Sequence, residues 1–252
     1  MHIQYKKIVA LLPLIFSLIQ IDCVEAAPVT YGSKAAFDSA ISALGLKVGG
    51  TNFDSFSNGQ VINSGDQLFS GLSISSQLAD RVDASGAPVP TLMEVSNAYT
   101  TTSNPNFLGT TDAHIFMDGD NLTLFSDKPR EALGMYIISA DALQDGDIFF
   151  QHNLIDYYVN LSINQTLNDG SNVYFIGIID TAEFLYQRVM TASNGAFLYN
   201  VDDIVLGTIP EPSSISIVLL GLGILFFAFN RRITTSEIPF ENERKISQVY
   251  FK

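Results

Sequence analysis

Apolar and polar positions alternate along most of this chain, and one segment departs from that rhythm with helical spacing. In "SKAAFDSAISALG", residues 33–45, Phe37, Ile41 and Leu44 fall at i, i+4 and i+7, with Ala36 and Ala40 beside them. That spacing predicts a short amphipathic helix, with Ser33 as N-cap and Gly45 as the stop. The other runs are short, rich in Val, Ile, Phe, Tyr and Thr, and bounded by Gly, Asn, Asp and Ser. They read as strands: "TNFDSF", "LFSGLSIS", "AHIFM", "NLTLFS", "ALGMYIIS", "GDIFFQ", "YYVNLSIN", "NVYFIGIID", "FLYQRVMTA" and "FLYNVDDIVL". In "YYVNLSIN", Tyr157, Val159, Leu161 and Ile163 take one face, and Tyr158, Asn160, Ser162 and Asn164 the other. Such alternation suits an antiparallel sheet with one wet face. The Asp-Gly of "MDGDN", residues 117–121, predicts a hairpin turn, because that pair tolerates positive φ. Residues 77–109 hold Pro88, Pro90 and Pro105 among Thr, Ser and Asn, and predict long loops. The expected fold is mainly β: a jelly-roll-like antiparallel β-sandwich with a short N-terminal helix.

Two longer apolar runs lie outside this pattern. Near the N-terminus, Lys6 and Lys7 precede the apolar residues 8–19, and "VEAAP" follows with small residues. This is the order of a secretory signal peptide, residues 1–26, cut by signal peptidase after Ala26. Cys23 raises a lipoprotein alternative, but "IQID" before it lacks the small residues that such a site takes. Near the C-terminus, residues 215–229 carry no charge and Arg231 and Arg232 follow them. With Ser213 and Ser214 the run reaches 17 residues, about 26 Å as a helix against a hydrocarbon core of ~30 Å. A single transmembrane helix is expected there, with the arginines on the cytoplasmic side.

Charge sharpens the division. Residues 27–209 hold 6 Lys and Arg against 20 Asp and Glu, a net charge of −14. So acidic a domain repels phosphate backbones, which argues against nucleic acid as a partner. Cys23 is the only cysteine, so a mature chain starting near Ala27 has neither disulfides nor thiol chemistry. Its stability must come from its core.

Pro210, Glu211 and Pro212, then the apolar helix, then Arg231 and Arg232, stand in that order on a signal-bearing chain. The arrangement closely resembles the bacterial PEP-CTERM sorting domain. The resemblance implies recognition by a membrane-embedded exosortase-type enzyme, cleavage near Pro-Glu-Pro and delivery to the cell surface. It also implies an association with extracellular polysaccharide and biofilm matrix. Two prolines keep the segment extended at the membrane face, where a protease can bind it as a strand. Family members usually end soon after the arginines, whereas here residues 233–252 continue as a nearly neutral tail. The expected organisation is therefore a signal peptide (1–26), an extracytoplasmic β-domain (27–208), a sorting signal with its helix (209–232) and a cytoplasmic tail (233–252).

Three kinds of chemistry deserve a place. Asp54 in "NFDSF" and Asp202 with Asp203 in "NVDDIVL" stand where carbohydrate-binding jelly rolls keep acidic residues that share a structural calcium. Oxygen-rich surroundings suit that cation; alternatively, Asp202 and Asp203 end a strand and hydrogen-bond a turn. Tyr157 and Tyr158, near Phe149, Phe150, Gln151, His152 and Asn153, form a candidate glycan-stacking surface, although no tryptophan is present and strand aromatics also build cores. Hydrolysis lacks a signature: His114 and His152 lie in no zinc-protease helix, and no Gly-x-Ser-x-Gly elbow occurs. The sequence thus reads as a non-enzymatic surface or matrix component in contact with polysaccharide, with a secreted matrix hydrolase as the alternative.

Overall fold

A computed structural model describes residues 27–69, 71–103, 105–192, 196–210, 221, 222 and 224. The expected signal peptide and the tail at 233–252 lie outside these, as do Glu211, Pro212, Arg231 and Arg232. The chain divides into two units, Met1–Ile209 and Pro210–Lys252. In the second, Gly221, Leu222 and Ile224 are helical. Among the described residues no helix is long and apolar enough to cross a membrane, and most of the expected span lies outside them.

The first unit is mainly antiparallel β with one short helix, an arrangement consistent with a β-sandwich. Its first strand, β1 (Val29–Tyr31), leads into α1 (Lys34–Ala43). Ser33 caps the helix, its hydroxyl accepting from Ala36 N at 3.5 Å. At the other end Gly45 has φ +67°, and Leu46 N donates to Ile41 O at 3.1 Å, closing the helix with a left-handed turn. Phe37 and Ile41 are buried as their spacing requires. Leu44 is not: it sits on the C-cap, 49% exposed, and Leu46 beyond the glycine fills the apolar position instead.

Two long strands organise the sheet. β9 (Asn121–Ser139) and β13 (Asn172–Thr191) pair antiparallel over most of their lengths. Each was expected as two shorter strands, because charged residues and Pro129 interrupt β9, and Asp180 to Glu183 interrupt β13. Those interruptions are bends within continuous strands, and the ladder shifts register between Ile179 and Phe184. The bends let each strand serve two neighbourhoods. Near its start β9 pairs with β5 (Leu72–Gln77), and near its end with β14 (Leu198–Thr208). On its other side β13 takes β10 (Ile148–His152), followed by β11 (Ile155–Tyr158). Beyond β14 lie β7 (Phe107–Thr110), β6 (Met93–Ser96) and β3 (Val61–Ile62). Shorter strands complete the set. β2 (Lys47–Thr51) and β8 (Phe116–Met117) join β14, β4 (Gln67–Phe69) joins β5, and β12 (Ile163–Thr166) joins β13 beside β1.

Three local expectations change. "TNFDSF" forms a strand only at Thr51, then turns through Phe53 at φ +62°. "YYVNLSIN" is not continuous: β11 ends at Tyr158 and β12 begins at Ile163, so Leu161 is half-buried and Ile163 exposed. "MDGDN" is a tight turn, with Gly119 at φ +86° and Asp120 N donating to Met117 O at 3.0 Å. It is not a hairpin, however, because β8 pairs with β14 rather than with β9. Within 77–109, expected as loops, β6 and β7 are wholly buried strands. A strand buried on both faces shows no alternation, which is why neither stood out.

One buried cluster joins residues of most strands, from Phe53 to Leu206. A second gathers Phe37, Ile41 and Leu46 of the helix region against Ala132, Phe175 and Ile179. Arg81 fastens the 77–91 loop: Nη2 meets Asp120 Oδ2 at 2.5 Å, Nε meets Asp112 Oδ2 at 2.9 Å, and Nη1 donates to Ala79 O at 2.8 Å. Asp120 is fully buried and also accepts from Ala79 N and Met117 N.

Candidate functional site

Side chains on the outward faces of β5, β9, β13 and β10 line an open groove of about 410 Å³. Cross-strand register explains how they meet. Gln151 lies opposite Arg188, Arg188 opposite Thr123, and Thr123 opposite Ser75, so one polar row crosses four strands. In the adjoining row Tyr186 lies opposite Phe125, with ring centroids 6.4 Å apart and planes tilted by 40°. Phe125 is 43% exposed. Two tilted rings beside a row of amide, hydroxyl and guanidinium groups make a surface that can stack on a sugar face and bond its hydroxyls.

The β10–β11 hairpin forms one rim. His152 pairs with Ile155, leaving Asn153 and Leu154 as the two loop residues, at φ +49° and +64°. Positive φ at both positions is the geometry of a type I′ turn. Asparagine tolerates it, whereas leucine is strained by roughly 1–2 kcal/mol. Leu154 is also 84% exposed and lines the groove. Hydrogen bonds hold the rim to the floor: Tyr186 Oη donates to Asn153 Oδ1 at 3.2 Å, and Asn153 Nδ2 lies 2.9 Å from His152 Nε2. His152 Nδ1 lies 3.3 Å from Tyr186 O, so the set closes with the imidazole proton on Nδ1.

The three residues expected to contact glycan occupy different places. Tyr157 packs against the main core. Tyr158 is exposed beside Phe149, with centroids 5.2 Å apart. His152 stands behind the groove, its ring 5.5 Å from that of Tyr186. The groove residues themselves, notably Phe125, Tyr186 and Arg188, were not singled out by sequence reasoning. Their signal was present as alternation in "NLTLF" and "YQRVM", but nothing in the sequence tells which strands are neighbours.

The three aspartates proposed for calcium lie in one region. A register shift follows Asp202 in the β14–β9 ladder, and Asp203 has φ +49°. Fully buried Asp202 accepts from the hydroxyls of Thr101, Thr102 (2.7 Å) and Ser103 (3.1 Å) and from Ser103 N (3.0 Å). Burial pushes its carboxyl up to about 6, against the pull of those donors. Thr102 also donates to Asp203 at 3.0 Å, and Ser103 to Asn52 O at 3.2 Å. Asp54 accepts instead from Asn52 Nδ2 at 2.6 Å and Asn106 N at 3.3 Å. Oxygens of the kind calcium takes are therefore close together, but both Asp202 oxygens already accept hydrogen bonds. Among the described residues no three His, Cys, Asp or Glu side chains converge as a metal site. His114, the other histidine considered for hydrolysis, lies with Nδ1 2.5 Å from Glu94 Oε1, away from the groove.

At the end of β14, Thr208 still pairs with Lys47, and Ile209 N donates to Glu131 Oε2 at 2.9 Å. Burial raises the Glu131 carboxyl above its ordinary value. The family model of the PEP-CTERM protein-sorting motif matches residues 208–232, so the motif begins on the last residue of this strand. Pro210, Glu211, Pro212, Arg231 and Arg232 all fall inside the match. The motif supports an exported protein, made as a membrane-anchored precursor and processed by an exosortase-type enzyme. No curated protein matches the chain.

Proposed function

We propose that this chain is a jelly-roll-type β-sandwich, exported through its signal peptide and released to the cell surface by exosortase-type cleavage near Pro210-Glu211-Pro212. There it serves as a non-enzymatic matrix component that binds extracellular polysaccharide through the groove on β5, β9, β13 and β10. The groove carries this reading: an aromatic pair, exposed Phe125 and half-buried Tyr186, flanks a polar row spanning four strands. A residue 84% exposed and held at positive φ, Leu154, stands on its rim, where strain is often retained for a binding role. Hydrolysis of a glycosidic bond needs two carboxyl groups flanking it, and among the described residues no Asp or Glu lines the groove.

Two measurements test the proposal. A glycan array probed beside a depolymerisation assay should give retention without product; release of oligosaccharide would establish the hydrolase instead. Mass spectrometry of the cellular protein should find a C-terminus near Pro212, and an intact tail at steady state would overturn the sorting step.

A further inference from the structure

We propose that the groove selects saccharides bearing carboxylate groups, with Arg188 as the residue that recognises the charge; this rests on the reading of the groove as a saccharide surface. The domain holds 20 acidic residues, yet none of them lines the groove. Among the described residues, what lines it is hydroxyl, amide, aromatic and aliphatic, with one charged side chain, Arg188. The domain's three arginines are Arg81, Arg130 and Arg188. Arg81 and Arg130 meet carboxylates, whereas among the described residues Arg188 meets none. Its side-chain hydrogen bond goes to neutral Gln151, Nη1 donating to Oε1 at 3.2 Å. Gln151 is fixed in turn by Asp156, to which its Nε2 donates at 2.8 Å.

One of five guanidinium N–H groups is thereby used to orient the head, and the others remain for a ligand. A planar fork of that kind matches a carboxylate with two parallel bonds. The position also fits a sugar. Arg188 is two residues from Tyr186 on the same strand face, so a sugar stacked on Tyr186 and Phe125 has the guanidinium within reach of its substituents. The acidic remainder of the domain opposes a polyanion, but at physiological salt a charge is felt over only about 8 Å; Asp156, joined to Arg188 through the Gln151 amide, is the carboxylate that lies near enough to oppose a bound anion. Elsewhere on the surface an acidic chain meets carboxylates; in the groove it meets a cation.

The test uses the 27–209 unit of the secreted protein within its full mature chain, in affinity electrophoresis against polygalacturonate, alginate and hyaluronate. Each is run beside its methyl-esterified form, with neutral galactan and glucan as further lanes. Retention by at least one acidic polymer, lost on esterification, is expected. Arg188→Gln should weaken it about tenfold to a hundredfold, the value of one charge-assisted bond, and Arg188→Lys should restore part of the loss. Unchanged thermal midpoints will show that the variants are folded. Equal retention of esterified or neutral polymers, or no effect of Arg188→Gln, overturns the charge selectivity and leaves saccharide binding standing. Retention of no polymer overturns both.

Discussion

Gly134 stands directly opposite Gly177 in the β9–β13 ladder, and the ring of Phe37 from the helix occupies the space that two side chains would have filled. A Cβ on Gly134 would come within 2.9 Å of Phe37 and 2.6 Å of Phe175; one on Gly177 would come within 2.7 Å of Phe37. The helix docks because the sheet is bare at that point. Gly134→Ala and Gly177→Ala should therefore each destabilise the domain by about 1–3 kcal/mol through overpacking. Urea unfolding checks this, and Phe37→Leu combined with either alanine should recover part of the loss.

Arg81→Ala should cost about 3–5 kcal/mol, because it leaves the fully buried Asp120 without its counter-ion. Arg81→Ala with Asp120→Asn should cost less than the single change. A double-mutant cycle in urea measures the difference, and a cycle with no coupling would show that the pair does not fasten the loop.

The Asp202 carboxyl, raised by burial to about 6 from an ordinary 3.8, gives stability a definite pH dependence. Between those values the folded state holds a proton that the unfolded chain has released, so stability falls as pH rises from about 4 to 6. The contribution amounts to at most about 3 kcal/mol, and Asp202→Asn should flatten it. Urea midpoints at pH 4, 5, 6 and 7 in chelator provide the check. A calcium ion bound there would hold the carboxylate ionised and reverse the slope, so the same series in millimolar calcium decides that question directly.

Leu154→Gly should stabilise the hairpin by roughly 0.5–1 kcal/mol, since glycine accepts φ +64° without the leucine strain. If Leu154 serves the groove, the same change weakens polysaccharide retention. A higher melting temperature with undiminished retention would remove Leu154 from the binding surface.

The contrast between helix and groove shows how far the sequence carries. Helical spacing, Ser33 and Gly45 are local signals, and they located α1 with only Leu44 misplaced. The sorting motif is equally local, a contiguous order of residue types. β6 and β7 escaped notice because strands buried on both sides lose their alternation. The groove was illegible for a different reason. Ser75, Thr123, Arg188 and Gln151 become neighbours only through pairings that span 48 (Ser75 to Thr123), 65 (Thr123 to Arg188) and 37 (Gln151 to Arg188) residues, and many registers fit the same alternation. Asp202 lies between these cases: the paired aspartates drew attention, but the Thr101 to Ser103 hydroxyls that surround Asp202 come from a distant loop.

The position of β14 governs when this domain can fold. The strand is interior, bounded by β9 and β7, and its far end pairs with β2, so that Thr208 meets Lys47 across almost the whole domain. Contacts so distant along the chain form late, after the entropy of closing the loop has been overcome. A polypeptide crossing a membrane from its N-terminus delivers β2 first and β14 last. The sheet therefore closes only when the residues leading into the sorting motif have arrived.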